Sequence, residues 1–215
     1  MLVRERMSTK PVTITIDCPI TEALRVMRQN QVRRLPVLDQ DGKLLGIVSE
    51  KDLLYASPSP ATSLSIYEMH YLLSQLRVTE LMTTDPFTVT PDTPLEEAAI
   101  IMADNKIGGL PVLESGELVG IITETDIFKV FLDLLGARDK GLRLTVQIPE
   151  RKGEMARITT AIADLGGNIL ALGSFLGEDP TTAVVTVKVE GVPTASVLSA
   201  MENLNLIILD VREIL

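Results

Sequence analysis

At 215 residues, 46% hydrophobic and 23% charged, the chain is long enough to bury a core and reads as one or two folded domains. A net charge of −9 opposes the unspecific phosphate attraction on which nucleic-acid binders depend. One cysteine, Cys18, excludes an intramolecular disulfide framework, and the one histidine adds too little for a His/Cys metal cluster.

Aromatic residues make up only 3% of the chain, so aliphatic side chains must do the packing. Arg4, Glu5, Arg6 and Lys10 interrupt the first apolar residues, so no secretory leader is read there. No apolar run reaches the length of a bilayer span, and a cytoplasmic protein with no membrane partner is expected. The charge is uneven: residues 1–63 hold nine Lys/Arg against seven Asp/Glu, whereas 64–140 are net −8 and 141–215 net −3. A local basic spot for a small anion is therefore compatible with the first segment.

After a short lead-in, Val12-Thr13-Ile14 reads as a brief strand. Ile20, Ala23, Leu24 and Met27 then recur at i, i+3, i+4 and i+7, one buried face of a helix. Leu35 to Leu38 and Leu44 to Val48 read as strands joined by the turn Asp39–Gly42, and a second helix starts near Glu50. Residues 57–63 form a Ser/Pro-rich linker, and Ser65 with Glu68 makes a capping box for a helix to about Arg77. His70 lies on the apolar face of that helix and receives no role.

The plan then repeats, with a strand at Phe87-Thr88-Val89 and a helix face of Leu95, Ala98, Ala99 and Met102. Strands Leu110–Leu113 and Leu118–Ile122 follow, and then a helix to about Leu135, which Gly136 stops. After Lys140 the grammar changes. Leu142, Leu144, Val146 and Ile148 alternate as in a half-buried strand. A helix with Met155, Ile158, Ile162 and Leu165 ends at Gly166-Gly167, two strands follow (Asn168–Phe175, Ala183–Val189), then a helix bearing Val197 and Met201 and a last strand. The order is βαββαβ.

The sharpest signal is internal. Gly46-Ile47-Val48-Ser49-Glu50-Lys51-Asp52 returns as Gly120-Ile121-Ile122-Thr123-Glu124-Thr125-Asp126. Met7 and Met82, Pro11 and Pro86, and Pro36 and Pro111 each stand 75 positions apart, and the spacing becomes 74 after a one-residue deletion in the hairpin turn. A fixed spacing means one supersecondary unit used twice.

Each junction ends a strand in a hydroxyl, Ser49 or Thr123, and places Asp52 or Asp126 three residues on, in the first turn of a helix. Free N–H groups at a helix start suit a phosphate, and the carboxylate suits ribose hydroxyls. The same pattern also serves as a plain helix cap, with the aspartate favoured by the helix dipole. Arg33 and Arg34, just before Leu35-Pro36, suit either bidentate oxyanion capture or a solvated face. The second copy carries Gly108-Gly109 there, so the two sites should differ, with Lys106 a weaker assistant. No Cys/His pair, nucleophile elbow or Walker loop is present, which argues for a non-catalytic protein.

The paired units, with their Leu-Pro-Val strands and Gly-x-x-Ser/Thr-x-x-Asp junctions, resemble a tandem of CBS domains (a Bateman module) over residues 1–135. The last segment, with Gly153 and the run Gly166-Gly167-Asn168-Ile169, resembles an ACT domain, although Lys152 stands where family loops usually carry proline. The domain order resembles the acetoin-utilisation (AcuB) type of protein. The resemblance implies an α+β fold: two βαββα repeats packed as a pseudo-twofold pair, plus a ferredoxin-like βαββαβ domain. Its implied boundaries are 1–63, a linker helix 64–78, 79–138 and 141–215.

It further implies an adenine nucleotide (AMP, ADP, ATP or S-adenosylmethionine) as a regulatory ligand in the cleft between repeats, with no obligatory cofactor. The residues carried over are Ser49, Asp52, Thr123, Asp126, Arg33 and Arg34, with Thr13 and Thr88 from the opening strands. Gly153, Met155 and Asn168 become candidates for an amino-acid site, or serve turn geometry alone. A homodimer is implied as well. An interaction scaffold with degenerate clefts, or an accessory or weakly catalytic protein of acetoin utilisation, stand as rivals.

Overall fold

The computed structural model describes residues 1–56 and 75–214. The linker helix expected over 64–78, its Ser65/Glu68 cap and His70 fall almost wholly outside the described residues; Gln75 is helical and Val78–Glu80 form a 3-10 turn. The chain divides into two units, Met1–Ile127 and Phe128–Leu215.

In the first unit the first copy comprises β1 (Ser8–Thr9), β2 (Ile14–Thr15), α1 (Ile20–Asn30), β3 (Arg34–Leu38), β4 (Leu44–Ser49) and α2 (Glu50–Tyr55). The second comprises β5 (Thr83–Thr84), α3 (Leu95–Asn105), β6 (Gly109–Glu114), β7 (Glu117–Thr123) and α4 (Glu124–Leu134), the last crossing into the second unit. The same core is written twice. Ile14, Ile20, Ala23, Met27, Leu35 and Val37 are buried, as are Val89, Leu95, Ala98, Met102, Leu110 and Val112, each 75 positions on. The strand expected at Phe87–Val89 shrinks to a single parallel bridge, Val89 to Val112, whereas Ile14 and Thr15 pair with Val37 and Leu38. One bridge suffices to bury Val89.

The lead-in residues prove structural, because each copy lends its opening segment to the other. β1 pairs antiparallel with β7 (Ser8 opposite Ile121, Thr9 opposite Gly120), and β5 pairs with β4 (Gly46 opposite Thr84, Ile47 opposite Thr83). The sheets therefore run β2-β3-β4-β5 and β1-β7-β6. Nearby, Val3 N–H donates to Thr93 O at 2.9 Å, while Val78 N–H donates to Cys18 O at 3.0 Å, the same reciprocity in backbone form.

This exchange explains the glycine that opens each heptapeptide. A Cβ on Gly46 would stand 2.7 Å from Thr83 O and 2.8 Å from Met82 Sδ, and one on Gly120 would stand 2.6 Å from Met7 Sδ. Glycine is the residue that lets another backbone approach this closely. The repeated methionines and the repeated glycines are thus two sides of one contact.

The second unit contains β8 (Gly141–Pro149), α5 (Glu154–Asp164), β9 (Asn168–Leu176), β10 (Thr182–Glu190), α6 (Thr194–Asn203) and β11 (Ile207–Ile214). The strands stand in the order β11-β8-β10-β9, all antiparallel. Leu142, Leu144, Val146 and Ile148 of β8 and Ala183, Val185, Val187 and Val189 of β10 pack against Ile158, Ile162, Val197 and Met201 of the two helices. Arg143, Thr145 and Gln147 of β8 and Thr186 and Lys188 of β10 alternate with these: Thr145 meets Thr186 at 3.0 Å, and Arg143 Nη1 donates to Asp210 Oδ2 at 2.7 Å. No helix among the described residues is long and apolar enough to cross a membrane.

Candidate functional site

The repeated junctions close on themselves in the same way. Ser49, extended at φ −104° and ψ 157°, caps α2: its Oγ accepts from Asp52 N–H at 3.3 Å, and Asp52 Oδ2 accepts from Ser49 N–H at 3.0 Å and Ser49 Oγ–H at 2.6 Å. At the other junction Asp126 Oδ2 accepts from Thr123 N–H at 3.0 Å and Thr123 Oγ1–H at 2.7 Å. Backbone bonds repeat too, since Glu50 N–H donates to Arg33 O at 2.9 Å and Glu124 N–H to Gly108 O at 3.1 Å. Both aspartates are therefore capping groups whatever else they do. At Asp52 the bonds from Ser49 N–H and Oγ–H both fall on one carboxylate oxygen, Oδ2.

A cleft of about 540 Å³ opens beside the first junction, within the usual range for a small-molecule site. The first copy contributes Arg33, Arg34, Ser49, Lys51 and Asp52; the second contributes Pro86, Phe87, Lys106 and Gly108. Four of its lining residues are cations and two, Glu50 and Asp52, are acids, in a chain of net charge −9. The apolar part comes from Ile47, Pro86, Phe87 and Ile107. Such a lining combines apolar surface with anion-binding groups.

Arg34 is the half-buried cation of this set, and its guanidinium approaches Glu124 of the second copy with Nη2 3.8 Å from Oε2. Burial pulls Arg34 below the ordinary arginine value; Glu124 opposes that, Arg33 adds to it, and Asp52 opposes it again. Arginine stays charged through such a shift.

Of the residues expected from sequence, Arg33, Arg34, Ser49 and Asp52 come together at this cleft. Thr123 and Asp126 form the second junction and are not among its lining residues. Thr13 and Thr88 do not line it either: Thr13 is half-buried, Thr88 is exposed, and their neighbourhood contributes Pro86 and Phe87 instead. Side chains alternate along extended chain, so the residue next to an inward one points elsewhere. Lys51 and Phe87 were missed by sequence reading; only their nearness to a junction or to a repeated proline marks them.

In the second unit Gly153 (φ +91°) caps α5 and Met155 packs half-buried on the core. Asn168 donates from Nδ2 to Glu190 Oε1 at 2.8 Å. That pair lies at the Gly141 end of the sheet, because Val189 pairs with both Leu142 and Ile169. Gly153 follows the opposite end of β8, beyond Pro149. Within this unit Asn168 is therefore remote from Gly153 and Met155.

The CBS-domain family model matches residues 3–59 and 78–133, more than half of the chain. The chain belongs to the CBS-domain family. Solved structures agree in fold. A CBS domain pair in complex with 5′-methylthioadenosine and S-adenosyl-L-methionine is 28% identical, with a TM-score of 0.52 over 65% of this chain and 98% of that one. CBSX2 of Arabidopsis thaliana, in complex with AMP, is 27% identical, with a TM-score of 0.52 over 61% and 96%. A Vibrio cholerae protein designated an acetoin utilization protein (AcuB) is 35% identical, with a TM-score of 0.52 over 64% and 95%. The family match to this CBS pair stops at residue 133, so the βαββαβ unit stands on its topology.

Proposed function

We propose that this CBS pair is a regulatory sensor that binds an adenine nucleotide in the cleft beside Ser49 and Asp52. One observation carries the reading: two distant copies of one unit bring Arg33, Arg34 and Lys106 to the same cleft as a Ser/Asp junction. Arginine pairs bind phosphate oxygens bidentately, and the junction carboxylate suits ribose hydroxyls. Relatives of like fold crystallised with AMP, 5′-methylthioadenosine or S-adenosylmethionine support the ligand class.

The mechanism is a population shift. A ligand touching both copies favours whichever arrangement it binds better, and by no more than that difference in affinity. The βαββαβ unit, 141–215, acts in this proposal as an ACT-like domain that takes a second small-molecule signal or assembles a homodimer. Gly153 and Met155 mark the end of that unit where an amino acid would be received. Repeat boundaries at 1–63 and 79–138, a cytoplasmic setting and a role in acetoin utilisation belong to the same proposal.

Calorimetry and thermal melts with AMP, ADP, ATP and S-adenosylmethionine test it. A ligand specific to the native state must raise Tm by mass action. If none of the four does, the scaffold reading with degenerate clefts replaces this one.

A further inference from the structure

Arg34 leaves the start of β3 in the first copy and ends over the backbone of the second. A Cβ on Gly108 would collide with its guanidinium and would stand 2.6 Å from Glu124 Oε2. Both ends of the Arg34–Glu124 pair therefore lie above one bare α-carbon. The partners are unequal: the Arg34 side chain is 26% exposed and that of Glu124 67%. At 3.8 Å the pair is also longer than a direct charge-assisted hydrogen bond. An anchored cation is thus held loosely by a solvated carboxylate, the kind of pair that exchanges readily.

The geometry points to Glu124 as a resident anion, which holds Arg34 until the phosphate of an adenosine ligand takes its place. The proposal rests on the nucleotide reading of the cleft and adds to it a charge preference and the residue that sets it. Arg33, Arg34, Lys51 and Lys106 face the cleft against Glu50 and Asp52, so its lining favours an anion. A phosphate can accept from the guanidinium in the bidentate manner that the 3.8 Å pair does not achieve. A neutral thioadenosine gains nothing from these cations. S-adenosylmethionine carries one carboxylate against a sulfonium and an ammonium, so its net positive charge is opposed by the same cations.

The test is calorimetry on the full chain with AMP, 5′-methylthioadenosine and S-adenosylmethionine, using the wild type, Glu124→Gln and Arg34→Gln. AMP should bind tightest and S-adenosylmethionine weakest. Glu124→Gln should tighten AMP by roughly three- to fivefold, the size expected for loss of a weak competing pair, and leave 5′-methylthioadenosine within about twofold. Arg34→Gln should weaken AMP by about tenfold or more without touching the neutral ligand. Glu124 is exposed, so its variant remains informative even if the half-buried Arg34→Gln fails to fold. Weakened or unchanged AMP binding in Glu124→Gln would overturn the proposal, as would equal affinity of AMP and 5′-methylthioadenosine in the wild type. Those results leave the nucleotide site standing, whereas no binding by any of the three, nor by ADP or ATP, removes both.

Discussion

Asp52 Oδ2 receives two hydrogen bonds from Ser49, 3.0 Å from its N–H and 2.6 Å from its hydroxyl. The carboxylate is thereby fixed at the cleft before any ligand arrives. Preorganisation of this sort reduces the ordering a ligand must impose.

The cap and the site can be separated by experiment. Asp52→Ala and Ser49→Ala should each lower stability by about 1 kcal/mol, the usual loss on removing a cap. Asp52→Ala should in addition weaken AMP by about tenfold, through the lost charged partner for ribose. Wild-type affinity in Asp52→Ala, measured where both proteins are folded, would reduce Asp52 to a cap. Asp126→Ala applies the same test at the second junction.

The exchanged strands predict an asymmetry between two matched glycines. In Gly46→Ala the new methyl group meets a backbone atom, Thr83 O at 2.7 Å, and β4 or β5 must move. In Gly120→Ala the nearest atom is Met7 Sδ at 2.6 Å, the far end of a flexible side chain, with Ser8 O at 3.1 Å. Gly46→Ala should cost about 1–3 kcal/mol, as overpacking does, and Gly120→Ala distinctly less. Urea midpoints of the two variants check the order.

Glu154 supplies a pH dependence. It is buried at the start of α5, where Arg151 Nε donates to Oε1 at 2.6 Å and Arg157 Nη1 to Oε2 at 2.7 Å. Hydrogen bonding from Arg151, foremost, holds the carboxyl below its ordinary range, although burial pushes the other way. A folded-state value below the unfolded one gives stability that is present above about pH 4.3 and lost as pH falls through the folded value. Melting temperatures from pH 7 to 3 should therefore fall less steeply in Glu154→Gln than in the wild type. Parallel curves would mean that the carboxylate does not contribute.

Lys188 is buried on the polar side of β10, and its Nζ donates to Gly136 O at 2.7 Å. Lys188→Met keeps the aliphatic stem and removes the donor, leaving that carbonyl without this partner. Gly136 O keeps Asp139 N–H as a donor at 3.1 Å, so the expected loss in urea unfolding is that of one charge-assisted hydrogen bond, about 1.5–3 kcal/mol. A neutral result would show that the Asp139 N–H alone satisfies that carbonyl.

Much of this architecture was legible in the residues. The 75-position spacing announced one unit used twice, and the helix faces Ile20/Ala23/Met27 and Leu95/Ala98/Met102 are the buried ones. The alternation from Leu142 to Ile148 marked the face that the two helices cover. Arg33, Arg34, Ser49 and Asp52 were singled out together and line one cleft. Thr13 and Thr88 were carried with them and do not line it. A stretch of three extended residues is too short for periodicity to say which one points inward.

By itself the sequence determined what is local or repeated: element order, the buried faces, the two capped junctions and the CBS character of the pair. Periodicity and capping act over a few residues, so they are written where they act. Tertiary structure alone decided that β1 and β5 change partners, that Asn168 and Gly153 lie at opposite ends of a sheet, and that Arg34 crosses Gly108 to meet Glu124. These are contacts between residues far apart in the chain. Their reason is spatial, since a two-residue strand or a single arginine chooses its partner only once both cores have packed.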